Sequence, residues 1–145
     1  MMIVDAQIHL WSKGTPSAHH RQTPFLHEEA LAMMDAAGVD RAVVHPVMWD
    51  PDSNELAVEA ARAHPDRFAI MGWMYLDRPE QRALLDTWKC RPGMKGLRFY
   101  FSDPQSVAYL LAADKSPRLT CRPSQGQKGL DEGVLLASQW FSHSW

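Results

Sequence analysis

Apolar segments able to serve as strands begin near residues 42, 68 and 94, at an even spacing of 26 residues, and each interval holds a stretch suited to a helix. A strand-length segment that returns at such a spacing, with a helix between, is the signature of right-handed βαβ units stacked into a parallel sheet. A further apolar run at residues 2–9 precedes the series. The spacing therefore predicts four strands and three helices in an α/β fold.

The local signals agree. Residues 27–38 predict an amphipathic helix with Leu31, Met34 and Ala37 inward, Ala30 and Met33 on the flank, and Gly38 as a left-handed C-terminal cap. Residues 41–48 are almost continuously apolar, as in a strand covered on both faces. Asp52 with Glu55 three residues on offers a capping box for a helix over 53–64, with Leu56, Ala60 and Ala63 inward. Residues 67–76 and 94–101 predict strands, and Pro79 opens a third helix over 79–90. Gly14, Pro16 and Pro24 make residues 12–26 a loop, in which His19 and His20 are read as solvated.

Polar groups cluster where the strands end. Asp5, Gln7 and His9 are two apart, so strict alternation puts a carboxylate, a carboxamide and an imidazole on one face. The C-terminal edge of a parallel sheet is where ligands bind in such folds. His45 closes the second strand and is a candidate for substrate orientation or proton transfer. Arg98 and Tyr100 share a face of the fourth strand. A buried arginine needs a partner, which is either a structural acid or the carboxylate of a bound substrate. Trp11, Trp49 and Trp73 near strand ends are candidates for an apolar pocket wall, and Trp11 and Trp49 equally for loop anchors.

The order of Asp5-Ala-Gln7-Ile-His9, Asp35-Ala-Ala-Gly38-Val-Asp40-Arg41, Asn54-Glu-Leu-Ala, His64-Pro65-Asp66-Arg67-Phe68 and Gly96-Leu97-Arg98-Phe99 resembles the amidohydrolase superfamily, in its amidohydrolase 2 branch, over roughly residues 2–105. That family's first strand carries Asp-x-His-x-His, and Gln7 stands here in place of the first His. The resemblance implies a metal-dependent (β/α)8 TIM-barrel hydrolase, acting by water attack on a lactone, cyclic ester or amide of a small carboxylate-bearing substrate. On this hydrolase reading His9 and His45 are the candidate catalytic residues, and Arg98, Tyr100, Gln7 and Trp11 the candidate substrate-binding ones. In that motif the two His bind a divalent metal, and here His9, with Asp5 beside it in the motif, is the candidate ligand set for one zinc or manganese ion. A carboxamide is a weaker ligand than an imidazole, so Gln7 argues against tight zinc, and some lactone-hydrolysing members of the family work without metal.

A full barrel needs about 200 residues or more, and this chain has 145. The expectation is the first four βα units, over residues 1–113, followed by an irregular tail over 114–145. All eight Met and all three Ile precede residue 95, and alanine occurs once after residue 114, at Ala137. The tail thus reads either as out-of-frame translation or accidental truncation, or as a genuine tail. A short apolar run, Val134–Ala137, interrupts it. His143 is given no role.

Composition narrows the classes. Net charge is −2 with scattered Lys and Arg, which argues against a nucleic-acid partner. No run of 18 apolar residues and no signal peptide is present, so neither membrane nor secretion is expected, and a cytoplasmic location is the default. Cys90 and Cys121 fit no metal or disulfide framework and are read as free thiols. Two readings stand beside the hydrolase. One is a truncated, non-catalytic fragment that dimerises through the exposed edges of its sheet. The other is a small module that binds an acidic ligand without turnover.

Overall fold

In the computed structural model, which describes residues 1–14, 20–75, 78–99 and 135–138, strands and helices alternate as the spacing predicts. The elements are β1 (Val4–Ile8), α1 (His27–Ala37), β2 (Arg41–Val44), α2 (Ser53–Ala63), β3 (Phe68–Gly72), α3 (Pro79–Arg82), a 3-10 segment (Ala83–Cys90), β4 (Met94–Phe99) and β5 (Leu135–Ser138). The sheet follows sequence order, β1-β2-β3-β4-β5. The chain divides into two units, Met1–Trp73 with Pro92–Lys95, and Met74–Arg91 with Gly96–Trp145.

In the first unit β1 pairs with β2 and β2 with β3, both parallel. Ile70 N–H donates to the carbonyl of Gly93 at 2.8 Å, at the start of β4. Ala42, Val44, Phe68 and Ile70 are buried, as expected of short parallel strands covered by crossover helices. β1 is the exception. Its register shifts between Asp5, opposite Ala42, and Ile8, opposite Val44. Three steps along β1 match two along β2, so simple alternation fails across this stretch.

The helices lie where predicted, but their inner faces are turned. α1 buries Ala30 and Met34, whereas Ala37 is exposed and Met33 is 56% exposed. α2 buries Ala57, Val58, Ala60 and Ala61, while Ala63 is exposed and Leu56 half-buried. Small alanines bring α2 close to the sheet, and this selects a face that a count of large apolar residues does not show. Gly38 caps α1 at φ 70°, and Val39 N–H reaches back to Met34 O at 2.8 Å. The capping box expected at Asp52 does not form. Asp52 holds the N-cap position without a side-chain cap bond, and its carboxylate pairs with Lys13 instead.

In the second unit the predicted third helix is one α turn followed by a 3-10 segment. Buried Trp88 anchors that segment through its indole N–H, which donates to Gly96 O at 3.1 Å. β4 pairs parallel with β5, with Arg98 opposite Ala137. β5 lies within the stretch expected to be irregular; the rest of that stretch, and the expected helix start at 106–113, fall outside the described residues. Cys90 is disulfide-bonded, which corrects its reading as a free thiol.

Candidate functional site

The C-terminal ends of β1 and β2 meet through two histidines. His9 follows β1, and its Nδ1 lies 2.7 Å from the carbonyl oxygen of His45. A carbonyl oxygen only accepts, so Nδ1 carries the hydrogen and the Nε2 of the neutral His9 ring carries a lone pair. The Gln7 carboxamide nitrogen sits 3.2 Å from that Nε2 and donates to it. His45 faces the other way. Its Nε2 is 3.2 Å from Ala6 O, so Nε2 carries the hydrogen there. Its backbone N–H donates to Ile8 O at 2.8 Å. The two rings thus adopt opposite tautomers, each held by the other strand's backbone. His45 is 6% exposed and His9 half-buried.

Asp5 does not join them. Its Oδ1 accepts the backbone N–H of Gln7 at 2.9 Å, and the residue is exposed. The register shift in β1 removes the alternation that would have placed it beside His9. The expected Asp5–His9 metal pair is therefore not assembled, and the expected Asp5-Gln7-His9 face is reduced to Gln7 and His9. Among the described residues no group of three or more His, Cys, Asp or Glu is placed to hold a metal ion. A divalent ion would meet one imidazole nitrogen at His9 and, after rotation of the Gln7 amide, one carboxamide oxygen.

The surrounding loops are fastened by residues that the motif reading missed. Asp50, 2% exposed, accepts four hydrogen bonds: Ser12 N–H at 2.6 Å, Ser12 Oγ–H at 3.1 Å, Lys13 N–H at 3.2 Å and Asp52 N–H at 3.0 Å. Burial pushes its pKa up, but these donors outweigh burial, and the carboxyl is held below its usual value. Ser53 donates from Oγ to Leu10 O at 2.8 Å and accepts Val47 N–H at 2.8 Å. Asn54 grips Trp73 with both amide atoms, at 2.7 and 3.1 Å. The segment Asp50-Pro-Asp-Ser-Asn54, which leads from β2 into the first turn of α2, thereby ties together the chain just beyond the ends of β1, β2 and β3. The sequence signal was present, because Asp, Ser and Asn ahead of a helix commonly bond nearby backbone; it was spent on the capping box at Asp52.

Trp11 is fully buried, with ring centroids 6.1 Å from Phe25 and 6.0 Å from Trp49. It is placed as a loop anchor. A position on the wall of a ligand pocket would require it to leave this cluster. Arg98, in the second unit, is 1% exposed within β4. Tyr100 lies outside the described residues.

No family model matches this chain, and no curated protein matches it. Among solved structures it is similar to a probable 2-pyrone-4,6-dicarboxylic acid hydrolase from Acinetobacter baumannii, crystallised with citric acid bound. The TM-score is 0.53 at 16% identity, and the match covers 68% of this chain and 38% of that one. The chain thus spans well under half of the length of the protein it resembles. Among the described residues, no helix is long and apolar enough to cross a membrane. The architecture is α/β, a partial TIM-barrel-like fold.

Proposed function

We propose that this chain is the N-terminal part of a barrel hydrolase that opens a lactone, cyclic ester or amide of a small carboxylate-bearing substrate by water attack. The observation that carries the reading is the brace between His9 and His45 at the strand ends, which fixes the His9 tautomer and sets its Nε2 lone pair against the Gln7 amide, so that Gln7 must yield that lone pair when His9 takes a proton from water. An imidazole with a fixed tautomer is suited to take a proton from water near neutral pH. Gln7 holds that ring, and His45 fixes its orientation. Arg98 supplies a planar fork suited to a substrate carboxylate, and Tyr100 is proposed as a second substrate-binding residue.

The fold likeness lends support, since the similar protein is named for hydrolysis of a cyclic ester that bears two carboxylates. A zinc or manganese ion bound at His9 and Gln7 is part of the proposal only as an added ligand, and no step is routed through it.

The test is hydrolysis of 2-pyrone-4,6-dicarboxylate by the full chain, followed by the loss of ring absorbance. Turnover that falls about 100-fold in His9→Ala, in the range of lost general-base catalysis, would support the reading. Equal turnover in wild type and His9→Ala would refute it.

A second reading is favoured by one observation. Met2, Ile3 and Val4, at and before the edge strand β1, are 61%, 43% and 46% exposed. An open apolar edge is a template for pairing with another chain. A defined dimer mass in sedimentation, without turnover, would favour a self-associating fragment. Stabilisation by a dicarboxylate without turnover would favour an acidic-ligand binding module.

A further inference from the structure

A cavity of about 470 Å³ lies at the opposite end of the first unit's sheet, where the strands begin. Its volume falls within the range of small-molecule sites. Arg41, the first residue of β2, lies four residues from His45, so the two ends are separated by about 13 Å along the strand. Val4, Val43 and Phe68 supply apolar wall. Val4 and Arg41 are register partners across β1 and β2, so the guanidinium stem and the apolar side chain rise from neighbouring positions.

The charges are unbalanced. Arg41 and Lys95 both line the cavity, both are exposed, and neither has an ion-pair partner among the described residues. Arg67 also lines it but is committed elsewhere: it pairs with Asp35 at 2.7 Å and donates to Asp40 O at 2.7 Å. Asp66 is the one acid in the lining. Two uncommitted cations against one acid leave a surplus of one positive charge over an apolar floor. Such an arrangement selects an anion that carries an apolar body, and disfavours both a neutral apolar molecule and a cation.

We infer that this cavity is a second ligand site, separate from the histidine brace, that binds a small monocarboxylate with an apolar body. Arg41 and Lys95 hold the carboxylate, and the apolar wall takes the aliphatic or aromatic portion. The inference does not depend on the hydrolase reading, because no residue is shared between the two sites.

The test is titration of the full chain with octanoate, observed by amide chemical shifts, with octanol and octylamine as matched neutral and cationic probes. Saturable octanoate shifts at Val43, Ala69 and Lys95 are expected, weakened at least tenfold by the double variant Arg41→Gln/Lys95→Gln and also by added salt. Both side chains are exposed, so the double variant should keep the wild-type amide spectrum elsewhere. Equal binding of octanol or octylamine by the wild-type chain overturns the proposal without any variant. So do octanoate shifts centred on His9 and His45, unchanged affinity in the double variant, or no saturable shift at all.

Discussion

His9 Nδ1 donates to the carbonyl oxygen of His45 across 36 residues of sequence, at 2.7 Å. The acceptor is a backbone atom, so the contact depends on where the chain at His45 runs and not on its imidazole. Replacing His45 by Ala removes the Nε2 bond to Ala6 O and leaves the carbonyl in place. The His9 tautomer should therefore survive in His45→Ala, with Nδ1 still protonated, as read by imidazole nitrogen chemical shifts. A switch to the Nε2–H tautomer would show that the carbonyl does not hold the ring.

Gln7 donates to His9 Nε2. In Gln7→Glu a carboxylate faces that nitrogen, which favours the protonated ring. The His9 titration should move to higher pH, and an unmoved titration would remove the contact. Gln7→His instead sets two imidazoles two residues apart at the strand end. It should bind zinc at least tenfold more tightly than the parent chain, as measured by competition with a chelating dye.

Asp50 is the fastening point of the loops. Asp50→Ala leaves the N–H groups of Ser12, Lys13 and Asp52 without their acceptor, and should cost about 3 kcal/mol in urea unfolding, in the range for hydrogen bonds to a charged group. Because its folded pKa is depressed, its contribution is complete above the ordinary carboxylate value near 4. That contribution is lost as pH falls through the lower, folded value. The gap in stability between wild type and Asp50→Asn should therefore be widest at neutral pH and shrink below about pH 4. Lys13→Ala, which breaks the exposed Lys13–Asp52 pair, should leave the midpoint nearly unchanged.

Two glycines should separate conformational cost from packing cost. Gly38 has φ 70° and open space where a Cβ would lie, so Gly38→Ala should cost about 1 kcal/mol. Gly93 has φ 73°, and a Cβ there would come within 2.3 Å of the Ala61 Cβ. Overpacking adds about 1–3 kcal/mol to the strain, so Gly93→Ala should lower the thermal midpoint more than Gly38→Ala. The reverse order would mean that Ala61 of α2 moves away from Gly93 without cost.

The order of strands and helices was legible in the sequence because it rests on periodicity and chain punctuation. The starts near 42, 68 and 94, the stop at Gly38 and the break before Met94 are all local signals. His9 and His45 were each legible as groups at strand ends for the same reason, and the parallel pairing of β1 and β2 brings those ends together.

Tertiary structure decided the rest. The register shift in β1 separates Asp5 from His9, and no period-two argument foresees an extra residue in a strand. The inner face of α2 turned toward alanines because close approach to the sheet favours small side chains over large ones, and α1 buries Ala30 beside the expected Met34. Asp50 and Asp52 are both aspartates at a helix entrance, and sequence alone credits the wrong one with the fastening. Their roles divide by which backbone N–H groups converge on each carboxylate: three on Asp50, from two loops that are distant in sequence, and none on Asp52. That convergence is a property of the fold, because the donors at Ser12 and Lys13 come within reach only once β1 and β2 have paired.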